Sequence, residues 1–358
     1  MKTFRYTTTF LFLLIFGLHG CKQSSPFPGY KPPAIGNTNH VDIVMDSVLA
    51  TGMVGDSVLE YFTSPFPVMP APEPFFDLRF LTMTDIEYDA YKKELKTLIF
   101  VADLTDTASL VTKMVKEDLG SEKWNKALTD STFFMTFAKD KWAKGQLLIY
   151  IFAQGPQKLA DIMQVVFPVA AVRINKHDEA SLEASVYGVK GKDNPLTELV
   201  QSKYGLKMAV PPGFVKALEE DNFLWLRFDD KKSIQNMVIQ KFAYTDVSQF
   251  SKDNMIKLRD EYGKKYVKTN SEDAYMQTNP IDLPVYEYEV NHHGMVGKEI
   301  RGIWETVNDF MGGPFFSYLL LNKATNELIF IDVFILAPGE DKRDMMQRLD
   351  YVVKKSTF

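Results

Sequence analysis

Six side chains on strand-like stretches carry the chemistry open to this chain: Trp225, Arg227, Arg301, Trp304, Glu305 and Asp332. Asp332 interrupts an apolar run at 328–336, in which both faces of a strand would be buried. An isolated buried carboxylate is costly unless a cation pairs with it. Arg301 and Arg227 are the expected partners, since each sits mid-strand near a tryptophan, Trp304 and Trp225. In the simpler account, which we prefer, Asp332 makes a structural Asp–Arg pair or faces water at a sheet edge. In the sharper one, Arg227, Arg301, Glu305 and Asp332 line a binding cleft with Trp225 as its aromatic wall. Glu305 and Asp332 could act as a glycosidase-like carboxylate pair only if they faced each other across a groove.

Other chemistry finds less support. His292 and His293 are adjacent in a Gly-flanked turn, so their side chains point apart and chelate poorly without acids from elsewhere. His-Glu-x-x-His, Gly-x-Ser-x-Gly and phosphate-loop patterns are missing from the sequence. The sequence therefore assigns no catalytic residue, no metal ligand and no cofactor. Lys342 and Arg343 open the last helical stretch, where positive charge opposes the helix dipole. They are expected to pair with nearby acids, with anion binding at that helix end as a second reading.

The stretch that positions Arg301, Trp304 and Glu305 reads as a hairpin. Residues 299–307 alternate, with Glu299, Arg301, Ile303 and Glu305 on one face and Ile300, Gly302, Trp304 and Thr306 on the other. The first face mixes charge with aliphatic carbon, which suits water or a cleft. Asn308 and Asp309 bond local backbone and Gly312-Gly313 permits positive φ, so the chain is expected to reverse there. Pro314 then opens a nearly all-apolar strand at 315–321. Gly302 inside a strand marks either a bulge or close packing over it.

The chain's 358 residues are 46% hydrophobic and 24% charged, enough to bury a real core, with a net charge of -5. No basic cluster resembles a nucleic-acid footprint, so nucleic acid is set aside as a partner. Residues 1–20 read as a signal peptide: Lys2 and Arg5 precede a short apolar run at 10–18. Leu18-His19-Gly20-Cys21 then resembles a bacterial lipobox, with His19 standing where a small residue is usual. Cys21 is the only cysteine, and acylation with palmitate-type chains explains both its place and its solitude. Two or three acyl chains suffice for stable anchoring. Residues 21–40 are expected to form the lipidated start and a flexible Ser-, Pro- and Gly-rich tether. No acidic run follows Cys21, which favours a periplasm-facing position on the outer membrane over surface export.

Two halves are expected beyond the tether: residues 41–190, a connection at 191–205, and residues 206–358. In the first, strands at 41–45, 76–83, 98–104, 133–137 and 146–152 alternate with helices at 51–62, 85–96, 107–119 and 156–186, the last interrupted near His177. The proline-rich segment 64–74 cannot be regular structure and must be an extended connection. A helix is expected at 196–206. The second half reads as strands at 206–211, 223–229, 234–243 and 285–291, the hairpin, and a strand at 328–336, with helices at 248–265 and 340–354. The class is α+β, each half a largely antiparallel sheet flanked by helices.

Arg301-Gly302-Ile303-Trp304 and Gly312-Gly313-Pro314-Phe315, followed by 334–350, resemble domain-of-unknown-function family 4837, a group of Bacteroidota lipoproteins. Val54-Gly55-Asp56 and 72–77 fit the same pattern, so the resemblance runs over nearly the whole mature chain. It implies a lipid-anchored envelope protein and brings no activity. The expectation is a non-enzymatic binding or structural module for an envelope protein or polymer, held to the membrane through Cys21. The alternative is an enzyme acting on peptidoglycan or glycan through Glu305 or Asp332.

Overall fold

Residues 29–292 and 294–358 are described by the computed structural model. The signal peptide, Cys21, the first part of the tether and His293 lie outside the described residues; the rest of the tether is not free, since the Ala34 and Ile35 N–H groups donate to the Lys144 and Glu94 carbonyls, both at 2.8 Å.

The first half is built around two strands that are apolar on both faces. Its elements are β1 (His40–Val44), α1 (Ser47–Ala50), α2 (Met53–Phe62), β2 (Asp77–Leu81), α3 (Met83–Tyr88) and α4 (Ala90–Lys93). Then follow β3 (Thr97–Asp103), α5 (Leu110–Thr129), β4 (Met135–Lys139), β5 (Leu147–Ala153) and α6 (Pro156–Tyr187). The sheet order is β2-β1-β3-β5-β4. Every residue of β3 is buried, because α2 and α6 cover one face and α3 and α5 the other. The expected antiparallel character fails in this half. β1 pairs in parallel with β2 and β3, and β3 with β5; only β4–β5 is antiparallel. The cause is legible in the chain order: helices carry the chain from β1 to β2 and from β2 to β3, and α5 with β4 returns it to β5 in the direction of β3.

Two helices differ from their expected limits. The α5 helix halts at Gly120, whose φ of 70° suits a helix stop, and then resumes. The α6 helix runs unbroken past His177 for 32 residues, about 48 Å. That length lets one helix serve two cores. Leu159, Met163, Val166 and Ile174 pack in the first half, while Leu182 and Val186 pack against the second.

The second half contains α7 (Pro195–Tyr204), β6 (Val215–Glu220), β7 (Phe223–Asp229), β8 (Ile234–Ala243), α8 (Lys252–Tyr266) and β9 (Tyr275–Asn279). It closes with β10 (Tyr286–His292), β11 (Met295–Val307), β12 (Gly312–Asn322), β13 (Glu327–Leu336) and α9 (Arg343–Lys354). Here the sheet is antiparallel throughout, in the order β10-β11-β12-β13-β8-β7-β6, with β9 on the remaining length of β11. One face is covered by α7, α9 and the end of α6, the other by α8. The class is α+β, as expected. No strand forms at 206–211, however, and β6 and β9 take its place in the sheet. β6 is largely exposed and rich in charge, so it carries little apolar alternation to read.

The hairpin forms as β11–β12, with Arg301 opposite Phe316 and Gly302 opposite Phe315. Its positive φ falls at Asn308 (59°) and not at the glycine pair, which already belongs to β12. Gly313 instead permits close approach: a Cβ there would lie 2.0 Å from the Ile335 carbonyl oxygen. Of the two readings of Gly302, close packing holds. A Cβ on it would lie 2.6 Å from the Phe315 ring.

Candidate functional site

Asp332 lies on β13 with its side chain among Phe330 and Phe334, under α8, and is fully buried. Its cationic partner is Arg259 of α8, equally buried, with Nε 3.3 Å from Oδ1. Neither Arg301 nor Arg227 reaches it. Ser317 donates to Oδ1 at 2.5 Å and the Tyr262 hydroxyl donates to Oδ2. The guanidinium is used up: it donates to Thr278 Oγ1 at 3.2 Å and stacks 3.9 Å from the Phe315 ring centre. Burial pushes the Asp332 carboxyl up, while Arg259, Ser317 and Tyr262 pull it back. The structural Asp–Arg account stands, with a different arginine. A signal for it exists in the sequence: Met255, Arg259 and Tyr262 share one helical stripe, so the face that brings Met255 and Tyr262 to the core brings Arg259 too.

The six candidate residues do not converge. Strand alternation puts Trp225, Arg227, Trp304 and Asp332 on the α8 face and Arg301 and Glu305 on the α9 face. Arg227 pairs with Asp229 at 2.6 Å, and Trp225 Nε1 donates to Asn236 Oδ1 at 3.0 Å. Trp304 Nε1 donates to the Ile335 carbonyl at 3.3 Å. Glu305 accepts from Gln277 and Asn279, both at 2.8 Å. Glu305 and Asp332 therefore face away from each other across the sheet and form no catalytic pair.

Arg301 borders a cavity. It faces a cleft of about 790 Å³ between the two halves. α6 forms one wall with Val172, Lys176 and Glu179; the proline-rich connection supplies Phe66, Phe75 follows directly after it, and β10 supplies Tyr288. Arg301 donates to Glu299 through Nε and lies 2.8 Å from Asp350 Oδ2 through NH2. Asp350 also binds Lys354 Nζ at 2.7 Å and the Tyr318 hydroxyl at 2.8 Å. Burial alone would raise the Asp350 carboxyl, but Arg301 and Lys354 more than offset it and hold it at about 2. Burial likewise opposes the charge on Arg301, and Asp350 and Glu299 restore it. The ionisable lining balances, four carboxylates against four cations. Such a cleft suits a ligand that pairs apolar surface with hydrogen-bonding groups, not a highly charged one.

The cleft walls are held by contacts between the halves. Glu73, in the proline-rich connection, accepts from the backbone N–H of Lys342 at 2.9 Å and of Arg343 at 2.7 Å. A side chain of the first half thus caps the last helix and fills the place read as an anion site. Arg343 pairs with Asp77 at 2.7 Å and Asp344 at 2.9 Å, the acid partners expected of it. At the other end of α9, the Tyr351 hydroxyl donates to Glu183 and Lys355 to Glu179, both at 3.0 Å. Among the described residues, no group of three or more His, Cys, Asp or Glu is placed to hold a metal ion.

Residues 34–178 match the profile of a family described as a domain of unknown function (DUF8532). Val54-Gly55-Asp56 and 72–77 fall within that match, not within the family expected to span nearly the whole mature chain. No protein of curated function matches the sequence. Among solved structures, the Ran-binding protein Mog1p of Saccharomyces cerevisiae is 13% identical, with a TM-score of 0.30, over 43% of this chain and 91% of that one. A point mutant of Mog1 is 14% identical, with a TM-score of 0.30, over 43% and 92%. Likeness at that level carries no argument about fold or function. Residues 193–355, which include α9, Arg301 and the β11–β12 hairpin, match the profile described as a domain of unknown function (DUF4837), so this second half of the chain is similar to that family.

Proposed function

We propose that this chain is a lipid-anchored cell-envelope protein that binds an envelope partner in the cleft between its halves. The cleft carries the reading. It combines about 790 Å³ of space with exposed apolar side chains and a floor whose charges are already paired. Preorganised, neutralised polar groups beside aromatic walls favour recognition without demanding a charged ligand. Anchoring rests on the sequence alone: Gly20-Cys21 after a short apolar run, with Cys21 the acyl acceptor. Among the described residues no helix is long and apolar enough to cross a membrane. The position assigned is the outer membrane, facing the periplasm. The enzyme reading loses its stated geometry, because Glu305 and Asp332 occupy opposite faces of the sheet.

The test is capture of a partner by the full-length protein from detergent-solubilised envelopes, with two variants alongside. Val172→Asp and Tyr288→Ala alter exposed cleft residues without breaking an ion pair, so both should stay folded. Loss of the same captured partner by both variants, at unchanged melting temperature, is the expected outcome. Undiminished capture by both would remove the cleft from the binding site. Cys21→Ala should release the protein from the membrane fraction.

A further inference from the structure

β10 is the terminal strand of the eight-stranded sheet and is hydrogen-bonded only to β11 among the described residues. Its other edge offers a row of backbone N–H and C=O groups. Four consecutive residues, Tyr286, Glu287, Tyr288 and Glu289, are exposed there. Natural sheets guard such edges with proline, bulges or inward-pointing lysine. β10 has no proline, bulge or lysine, its pairing with β11 runs in unbroken register, and its one guard is the charge of Glu287 and Glu289, which a basic partner segment would turn into an attraction.

The two sides of this edge differ in chemistry. Tyr286 and Tyr288, 46% and 44% exposed, lie on the α9 face, opposite Arg301 and Glu299, where Tyr288 enters the cleft. Across the cleft stands Val172 of α6, and the half-exposed Val169 and Val165 continue its stripe along the helix beyond the cleft lining. Glu287 and Glu289 lie on the other face of the strand and share one cation, Lys298, at 3.2 and 3.4 Å. That face keeps a net negative charge.

From this arrangement we infer that β10 receives an extended peptide segment of a partner protein as an added strand. Its alternate side chains are apolar, entering the cleft between Tyr288 and Val172, and basic, meeting Glu287 and Glu289. Main-chain bonds supply the attachment and the alternation supplies selectivity. A second copy of this chain fits worse. Two β10 edges paired about a two-fold axis would set Glu287 and Glu289 against their own copies, and like charges directly opposite destabilise a sheet.

The inference rests on the cleft being the binding site, and its test separates the two. A dye-labelled peptide of four Val-Lys repeats is titrated against the full-length protein in detergent and read by fluorescence anisotropy. The control is the same peptide N-methylated at alternate residues, which keeps charge and composition but cannot complete the strand ladder. Saturable binding, weakened at least tenfold by N-methylation and at least tenfold by Glu287→Lys with Glu289→Lys, is the expected result. Equal binding of the methylated peptide, indifference to the double substitution, no saturable binding, or a dimer held through β10 would each overturn strand addition. If the peptide fails while envelope capture still depends on Val172 and Tyr288, the cleft keeps its role and only strand addition falls. If capture is also indifferent to those residues, both fall.

Discussion

Arg259 and Asp332 come from a helix and a strand 73 residues apart and meet 3.3 Å apart in a site closed to solvent. Desolvating both ions is expensive, and the pair persists because each partner's remaining groups are also satisfied, by Ser317, Tyr262 and Thr278.

Breaking the pair should therefore cost much more than replacing it. Arg259→Met alone leaves a buried carboxylate and should lose about 3–5 kcal/mol, read by urea denaturation. Arg259→Met combined with Asp332→Leu should recover most of that loss, since apolar replacements of a buried pair are often neutral. If the double variant were as unstable as the single one, the pair would be contributing fold specificity beyond charge compensation.

Glu73 caps α9 from the opposite half of the molecule. Glu73→Ala should cost about 1–2 kcal/mol, the sum of a lost cap and a lost favourable charge at a helix N-terminus. Glu73→Gln keeps an acceptor without the charge and should fall between. The more telling readout is limited proteolysis, because the same change frees the proline-rich connection. Cleavage within 64–74 should accelerate in Glu73→Ala before global unfolding sets in.

Asp350 gives a pH dependence with a definite sign. Its carboxyl lies at about 2 in the folded protein against an ordinary 3.8. A depressed folded value means the unfolded chain binds more protons as acid is added. The contribution is complete above about pH 5 and disappears as pH falls through the folded value, for a total of roughly 2 kcal/mol. Asp350→Asn should flatten that part of the stability–pH curve between about pH 5 and 2. It should also weaken the hold on Arg301, detectable as altered peptide or partner binding at neutral pH.

How much of this was readable from the chain depends on the range of the contacts involved. The β11–β12 hairpin was legible because alternation and turn residues are local. The apolar run around Asp332 was legible, but whether the carboxylate is buried and paired or faces water at a sheet edge was not. Its partner was not, since strand arginines beside tryptophans look like the natural candidates, while Arg259 is marked only by the helical stripe it shares with Met255 and Tyr262. The parallel character of the first sheet is obscured when each strand is judged separately; the alternation of strand and helix carries the information. β6 escapes because it is largely exposed and rich in charge, and β9 because its buried positions include the polar Thr278 and Asn279. The cleft could not be foreseen, as it is assembled from α6, the proline-rich connection, β10, β11 and α9, which no sequence periodicity links.

Gly302 connects the hairpin to the buried ion pair. With no side chain of its own, it leaves room for the Phe315 ring, 2.6 Å from where a Cβ would stand. That ring in turn covers the Arg259 guanidinium at 3.9 Å. Gly302→Ala should push Phe315 and cost about 1–3 kcal/mol, the usual toll of overpacking. The displaced ring would then uncover Arg259, so the effects of Gly302→Ala and Arg259→Met should not add. A double-mutant cycle should give a coupling energy above about 0.5 kcal/mol, where independent sites give less. Simple additivity would mean the ring shifts without disturbing the guanidinium, and that Gly302 serves only the packing between β11 and β12.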